Sequence, residues 1–135
     1  MEFSPEEVRI DAALRERLSE FPLYREDHYA GVFIRNDVVY IGYSSVKERV
    51  KSRDSTGFDL QVDGKECDIL HFDIEYGKRK QGFGTKLYRI IEEFCKNEFG
   101  CNSFVTSPSG QGIGFWFKQG FVEDIGGLKG KRLRV

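Results

Sequence analysis

The chain is organised around a short glycine-containing turn at residues 79–85, with the sequence RKQGFGT. The residues just before it, 68–74, are apolar enough to form a buried strand. After it, apolar side chains recur with the i, i+3, i+4, i+7 spacing of a helix that faces a core, at Leu87, Ile90, Ile91, Phe94 and Cys95. The sequence therefore predicts a strand, a tight turn and a helix in direct succession.

The two glycines of this turn predict an anion-binding site. Gly82 and Gly84 permit positive φ angles and lack the Cβ atoms that would keep a ligand away from the backbone. The free N–H groups in the first turn of the helix point toward the same space, and the helix dipole favours an anion there. Lys78, Arg79 and Lys80 add positive charge. We interpret the segment as a cradle for a diphosphate.

Two common nucleotide-binding motifs do not match this turn. The P-loop needs Gly-Lys-Ser or Gly-Lys-Thr, and neither tripeptide occurs in the chain. The dinucleotide fingerprint G-x-G-x-x-G fails because Leu87 stands three residues after Gly84.

The pattern R-x-x-G-x-G formed by Arg79, Gly82 and Gly84 resembles the pyrophosphate-loop motif of the GNAT superfamily of acetyl-CoA-dependent N-acetyltransferases. Ile74 stands five residues before Arg79, where that family has the apolar residue that ends its central strand. Residues 114–121 resemble the late helix of the family, which closes on an aromatic-x-x-x-Gly-Phe signature. The elements predicted over residues 67–121 follow the family's order.

The resemblance implies one GNAT-like domain over residues 1–135, of the α/β (α+β) class. Its sheet would be mixed and mostly antiparallel, flanked by helices, with two central parallel strands at about residues 67–75 and 102–107 that splay apart. Acetyl-CoA would enter that split as co-substrate, and its amide-bearing arm would pair with the exposed strand edge. The family shapes its acceptor site with N-terminal helices, and its usual first strand is missing from this sequence.

The resemblance also implies how acetyl-CoA is held. Backbone N–H groups of residues 81–85 would bind the diphosphate, with Arg79 and Lys80 near the phosphates. The N–H of Phe72 would polarise the thioester carbonyl, as in an oxyanion hole. Ser109 stands at about the place of the family's asparagine. The implied cofactor-binding residues are Phe72, Ile74, Arg79, Lys80, Gln81, Gly82, Phe83, Gly84, Thr85 and Ser109.

An amine must lose a proton to attack a thioester, so a base is expected near the carbonyl. Asp68 occupies the place of the glutamate base in the family's histone-acetylating branch, and Glu75 and His71 are the alternatives. Many relatives have a tyrosine acid where this chain has Trp116. Either the thiolate of coenzyme A leaves unaided, or the protein is a catalytically silent acyl-CoA-binding or interaction module. The first reading predicts an acyltransferase that acetylates a primary amine by direct attack.

Composition bounds the remaining function classes. A length of 135 residues suits one domain, and the net charge of −1 gives no general attraction to nucleic acid or anionic membranes. No apolar run is long enough to span a membrane, and the acidic start is unlike a signal peptide, so we expect a cytoplasmic protein. Three cysteines without metal-ligand spacing predict buried thiols and no metal site. The acceptor is a small molecule or a protein amine, and no motif in the sequence identifies which. The sequence also leaves open whether the protein forms a homodimer.

Local patterns predict the other elements. Ser4 and Glu7 form a capping box that starts a helix ending near Phe21. A short helix with a loop is expected between residues 44 and 57, and Gly100 is expected to end the helix of residues 85–98. The predicted strands are a hairpin of residues 29–34 and 38–43, a second hairpin on an I′-type turn at Asp63-Gly64, a strand at 101–107 and a basic edge strand containing Leu133 and Val135.

Overall fold

The computed structural model describes residues 2–47, 55–107, 112–123 and 131–134. Within these residues, seven strands form one sheet in the order β1-β2-β3-β4-β5-β7-β6. The strands are β1 Tyr29–Arg35, β2 Val38–Ser44, β3 Gly57–Asp63, β4 Glu66–Asp73, β5 Ser103–Thr106, β6 Val122–Glu123 and β7 Lys131–Arg134. The helices are α1 Pro5–Leu18, α2 Phe83–Phe99 and α3 Ile113–Lys118, with a short 3-10 helix at Tyr76–Lys78.

The centre of the sheet contains the predicted splayed parallel pair. Strands β1 to β4 are antiparallel, whereas β4 and β5 run parallel and are paired from Glu66 and Ser103 to Ile69 and Thr106. Because β4 continues to Asp73 while β5 ends at Thr106, the two strands separate beyond Ile69. The predicted fold class is confirmed.

A β-bulge interrupts β4 at the point of separation. Ile69 lies opposite Leu60 of β3, but the next paired residue is His71, opposite Asp59. Leu70 is therefore the extra residue of the bulge, which bends the strand and reverses the side-chain alternation beyond it. Consequently His71 shares a sheet face with Asp59, and Phe72 shares the core face with Phe58.

The core occupies one face of the sheet, under α1 and α2. Val32, Ile41, Leu60 and Ile69 are successive register partners across four strands, and all are buried. The predicted apolar stripe of α2 is confirmed, since its buried side chains are Leu87, Tyr88, Ile90, Ile91, Phe94 and Cys95. Gly100 ends α2 in the left-handed conformation, as predicted, with φ of 67°.

The predicted capping box of α1 is confirmed. The Ser4 hydroxyl accepts a hydrogen bond from the Glu7 N–H at 3.1 Å, and the Glu7 carboxylate accepts one from the Ser4 N–H at 2.7 Å. The other carboxylate oxygen of Glu7 accepts a hydrogen bond from the N–H of Ile34 in β1 at 2.8 Å. One side chain thus caps the helix and joins it to the sheet. The helix ends at Leu18, three residues before the predicted Phe21.

Replacing Glu7 with glutamine should destabilise the protein in a pH-dependent way. The N–H groups of Ile34 and Ser4 lower the pKa of Glu7 below its ordinary value of 4.5. A lowered pKa means that the stabilisation is present above the unfolded-state pKa and is lost as pH falls through the folded-state pKa. Urea unfolding should therefore show that Glu7→Gln is less stable than the parent at neutral pH. The difference in their free energies of unfolding should disappear below pH 4.5. Glu6→Gln, at the exposed neighbouring position in the same helical turn, is the control. A difference in stability between Glu7→Gln and the parent that does not depend on pH would contradict the assignment.

Three local predictions need correction or lie outside the structure. The loop between β3 and β4 is Gly64-Lys65, and φ is positive at Gly64 but not at Lys65, so the I′-type turn is wrong because that turn needs both. The basic tail is not an edge strand, because β6 pairs with the outer side of β7. The short helix with a loop predicted between residues 44 and 57 cannot be compared over residues 48–54, which lie outside the described residues. The first hairpin is confirmed, with positive φ at Asn36 and Asp37.

The three cysteines are free and buried, as predicted. The Sγ atoms of Cys67 and Cys95 lie 3.9 Å apart within the core. None of the helices in the described part of the chain is long and apolar enough to cross a membrane.

Candidate active site

The N-terminus of α2 is open to a ligand. Gly82 is the N-cap residue with φ of 84°, and no described side chain caps the helix. Among the described residues, none beyond its chain neighbours has an atom within 4 Å of the position that a Cβ would take at Gly82. The first helical turn also contains no acidic side chain. Free N–H groups at an uncapped helix N-terminus, without a competing carboxylate, fit an anion such as a diphosphate.

The loop before this helix end has a second left-handed residue. Lys80 has φ of 63°, which is uncommon for a residue with a Cβ. Left-handed residues in a tight loop turn successive N–H groups toward one side and form an anion-binding concavity. The sequence contains no signal for this conformation, since lysine does not favour positive φ.

Gly84 also permits a close packing contact that was not predicted from the sequence. A Cβ atom there would lie 2.9 Å from Cε1 of Phe115 and 3.7 Å from Cγ1 of Ile74. The absence of a side chain thus lets α3 pack against the start of α2 at the end of β4. Gly82 is the glycine that leaves space for a ligand.

Arg79 turns back toward β4. Its Nε donates to the carbonyl oxygen of Ile74 at 2.8 Å, and its guanidinium lies 5.5 Å from the centroid of the Tyr76 ring. A terminal nitrogen is 4.0 Å from Oδ1 of Asp73. Arg79 thereby fixes the path of the loop relative to the end of β4. Lys80 and Gln81 are exposed on the loop.

The separation of β4 and β5 forms a cleft. A cavity of about 320 Å³ lies there, lined by Ile69, Leu70, His71, Phe72, Asp73, Thr106, Ser107, Gly112 and Trp116. At the point where the strands diverge, the buried hydroxyl of Thr106 donates to the carbonyl oxygen of Ile69 at 3.1 Å. This bond closes the end of the cleft at which the two strands are still paired.

Aromatic side chains form one wall of the cleft. The ring of Phe72 stacks on Phe115 with centroids 5.4 Å apart and meets the edge of Trp116 at 5.2 Å. Trp116 is buried and also contacts Tyr88 edge-on at 5.4 Å. No tyrosine is present among the described residues that line the cleft.

Tyr88 of α2 is a phenol that contacts Trp116. The sequence contains no signal for this contact, because the spacing of Tyr88 is that of a buried core residue of the helix. Its hydroxyl donates to Oε2 of Glu92 at 3.1 Å. Burial, followed by the charge of Glu92, raises the pKa of Tyr88 far above its ordinary value. A buried phenol that is held by a carboxylate is a poor proton donor for a leaving thiolate.

The three candidate bases occupy different places. Asp68 is half-buried opposite Gln61 and Val105, and burial, then the charge of Glu66, raises the pKa of its carboxyl. His71 is exposed and lines the cleft. The third candidate, Glu75, is described below. Ser109, which the resemblance implies as a cofactor-binding residue, lies outside the described residues.

Glu75 lies at the other side of β4. Thr56, which is buried, donates through its hydroxyl to Oε2 of Glu75 at 3.0 Å and accepts the Glu75 N–H at 3.1 Å. Nearby, Nδ1 of His28 is hydrogen-bonded to the hydroxyl of Tyr43 at 2.7 Å. Burial lowers the pKa of His28, and the negative charges of Asp27 and Glu75 partly oppose that shift. The sequence had no signal for this group, which joins residues from four separate segments.

A larger cavity of about 530 Å³ lies on the sheet face opposite the core helices. It is lined by Phe3, Gly31, Val32, Phe33, Tyr40, Ile41, Gly42, Asp59, Leu60, Leu70 and His71. Leu70 and His71 line both this cavity and the cleft, so the two spaces meet at the bulge of β4.

Comparisons with known proteins agree with this geometry. The structure is similar to that of Tetrahymena GCN5, with a TM-score of 0.52 and 12% sequence identity, over 95% of this chain and 85% of that one. It is also similar to a protein from Agrobacterium tumefaciens provisionally assigned as an acetyltransferase, with a TM-score of 0.53 and 14% identity over 100% of both chains. At these identities the likeness concerns the fold. None of the curated proteins compared matches the sequence significantly.

The sequence itself carries the family assignment. The model of the acetyltransferase (GNAT) family matches residues 2–121, which include the loop, the cleft and the aromatic wall. Members of this family typically use acetyl-CoA. The chain belongs to the GNAT family of acetyltransferases.

Proposed function

We propose that this protein transfers the acetyl group of acetyl-CoA to a primary amine by direct attack of the amine on the thioester. The observation that supports it most is the cleft, which opens where β4 and β5 separate, at the end of the strand that leads to the uncapped N-terminus of α2. A pantetheine arm would pair with the free edge of β4 beyond Ile69, while the diphosphate would reach the N–H groups of residues 81–85.

The proposed reaction needs only groups of this chain and the two substrates. The amine nitrogen forms a bond to the acetyl carbon, the carbon–sulfur bond breaks, and coenzyme A leaves as the thiolate. The N–H of Phe72, in the cleft wall, is the proposed donor to the carbonyl oxygen. The thiolate leaves unaided, because a thiol of pKa about 8.5 is a fair leaving group and Trp116 supplies no transferable proton.

Asp68 is the proposed base for the amine proton. Its raised pKa brings the carboxyl closer to the pH at which a base is effective, and a water molecule can carry the proton over the distance to the cleft. Glu75 and His71 are the alternatives. Glu75 is held by Thr56, whereas His71 is at the cleft itself.

Free-thiol detection tests the activity directly. The protein would be incubated with acetyl-CoA and a panel of primary amines, polyamines and lysine-containing peptides, while calorimetry measures acetyl-CoA binding separately. Thiol release that depends on an amine supports the transferase. Tight acetyl-CoA binding without such release would support the second candidate, a silent acyl-CoA-binding module, for which the buried Trp116 in place of a tyrosine is the favouring observation.

Asp68→Asn should lower kcat about 100-fold at neutral pH, the order of magnitude of general-base catalysis, without changing acetyl-CoA affinity. The loss should be greater at low pH than at high pH, because more of the amine is then protonated and needs a base. Asp63→Asn, at the exposed end of β3, is the matched control. Unchanged turnover in Asp68→Asn would assign the proton to His71 or Glu75.

A further inference from the structure

The larger cavity is a trough produced by a row of residues that run across the sheet. Gly31 of β1 pairs with Gly42 of β2, Gly42 pairs with Asp59 of β3, and Asp59 pairs with His71 of β4. All four lie on the face opposite the core. The first two residues have no side chain, so the floor of the sheet is open at Gly31 and is reached only by the Asp59 carboxylate at Gly42, and the trough measures about 530 Å³. That volume is typical of a pocket for a small organic molecule.

The walls of the trough are apolar. Phe33 and Tyr40 are register partners in the next row, with ring centroids 6.1 Å apart, and they are 36% and 38% exposed. Phe3, which precedes α1, contributes a further ring and is 61% exposed. Large rings that stay exposed around a cavity indicate a surface that is covered by an apolar partner. They fit an aromatic or hydrocarbon body rather than a highly polar chain.

The end of the trough nearest the cleft is polar. Oδ1 of Asp59 lies 3.1 Å from the position of a Cβ at Gly42, so the carboxylate extends over the trough floor. His71, its register partner, stands between the trough and the cleft, since it lines both. A carboxylate at this end attracts an ammonium group, and Leu70 and His71, which line both spaces, mark where the trough meets the cleft.

We propose that this trough binds the acceptor, and that the acceptor is a small primary amine with a compact apolar body; the inference rests on the acetyl transfer proposed above. The apolar body lies over Gly31 between the rings, and the nitrogen lies near Gly42, beside Asp59 and His71. From there the deprotonated amine passes Leu70 and attacks the acetyl carbon in the cleft. Four strands span about 14 Å, which accommodates such a molecule along the row.

Gly31→Val tests the trough with little effect on folding. Among the described residues, nothing beyond the chain neighbours lies within 4 Å of a Cβ at Gly31, and valine favours strands, so the side chain should fit and fill the floor. With 2-phenylethylamine as acceptor, KM for the amine should rise about 10-fold or more, the scale of one misfitting apolar group. KM for acetyl-CoA and the urea midpoint should not change. Arg35→Val, on the same strand and face but outside the cavity lining, should behave like the parent.

The possible outcomes separate this inference from the proposed function. Amine-dependent thiol release that Gly31→Val does not alter, or a clear preference for spermidine or a lysine peptide over 2-phenylethylamine, would overturn the trough and leave the transferase intact. Amide NMR shifts of Gly31 and Gly42 on addition of 2-phenylethylamine, lost in Gly31→Val, would support the trough even if no thiol is released. If neither the amide shifts nor thiol release were observed, the proposal that the trough binds the acceptor would be overturned. It would also be overturned if the parent protein were a dimer that Gly31→Val dissociates.

Discussion

Gly82→Asp is expected to abolish acetyl-CoA binding. The new carboxylate would occupy the open space at the N-terminus of α2, where the diphosphate is proposed to lie. Two unit charges 4 Å apart repel by about 4 kcal/mol at an effective dielectric constant of 20, which corresponds to roughly a thousand-fold in Kd. Isothermal titration with acetyl-CoA measures the loss directly.

Gly82→Asn is the matched control for this substitution. Asparagine has nearly the same shape as aspartate and tolerates the positive φ of 84° comparably, but it carries no charge. Its affinity should fall far less than that of Gly82→Asp, because only the new bulk remains. Equal, parent-like affinity in both variants would mean that the diphosphate is bound elsewhere.

Gly57→Ala is expected to destabilise the fold by about 3 kcal/mol, the upper range for an overpacked site. A Cβ atom at Gly57 would lie 2.2 Å from the carbonyl oxygen of Tyr43 and 3.0 Å from Cα of Ser44. Both atoms belong to the backbone of β2, so no side chain can rotate away and the pairing of β2 with β3 must shift. The urea midpoint of unfolding is the measurement.

Gly31→Ala serves as the comparison within the same sheet. Its Cβ would meet none of the described atoms beyond its chain neighbours within 4 Å, so we expect a change below about 1 kcal/mol, toward greater stability. If both alanine variants were equally stable, the close approach of β2 and β3 at Gly57 would be refuted.

Signals contained within a few consecutive residues were sufficient for much of the fold. The capping box at Ser4, the left-handed end of α2 at Gly100 and the hairpin turn at Asn36 all follow from local backbone and side-chain bonding. The positive φ of Gly82 at the N-cap of α2 is local in the same sense, because glycine adopts that conformation freely. Resemblance to the GNAT motif supplied the rest of the topology, including the splayed pair.

The sequence by itself thus determined the position of the loop before α2 through short-range patterns, and it determined the family and the fold class through the motifs that resemble those of the GNAT family. The tertiary structure alone decided that Gly84 accommodates Phe115, that Arg79 turns back to Ile74 and that β7 lies inside the sheet. It also brought Gly31, Gly42, Asp59 and His71 into one row across four strands. These contacts join residues that are far apart in the chain. Which residues meet is determined by the register of the strands and by the bulge at Leu70. A bulge shifts the side-chain alternation by one residue, so which side chains face the trough could be known only once the register was known.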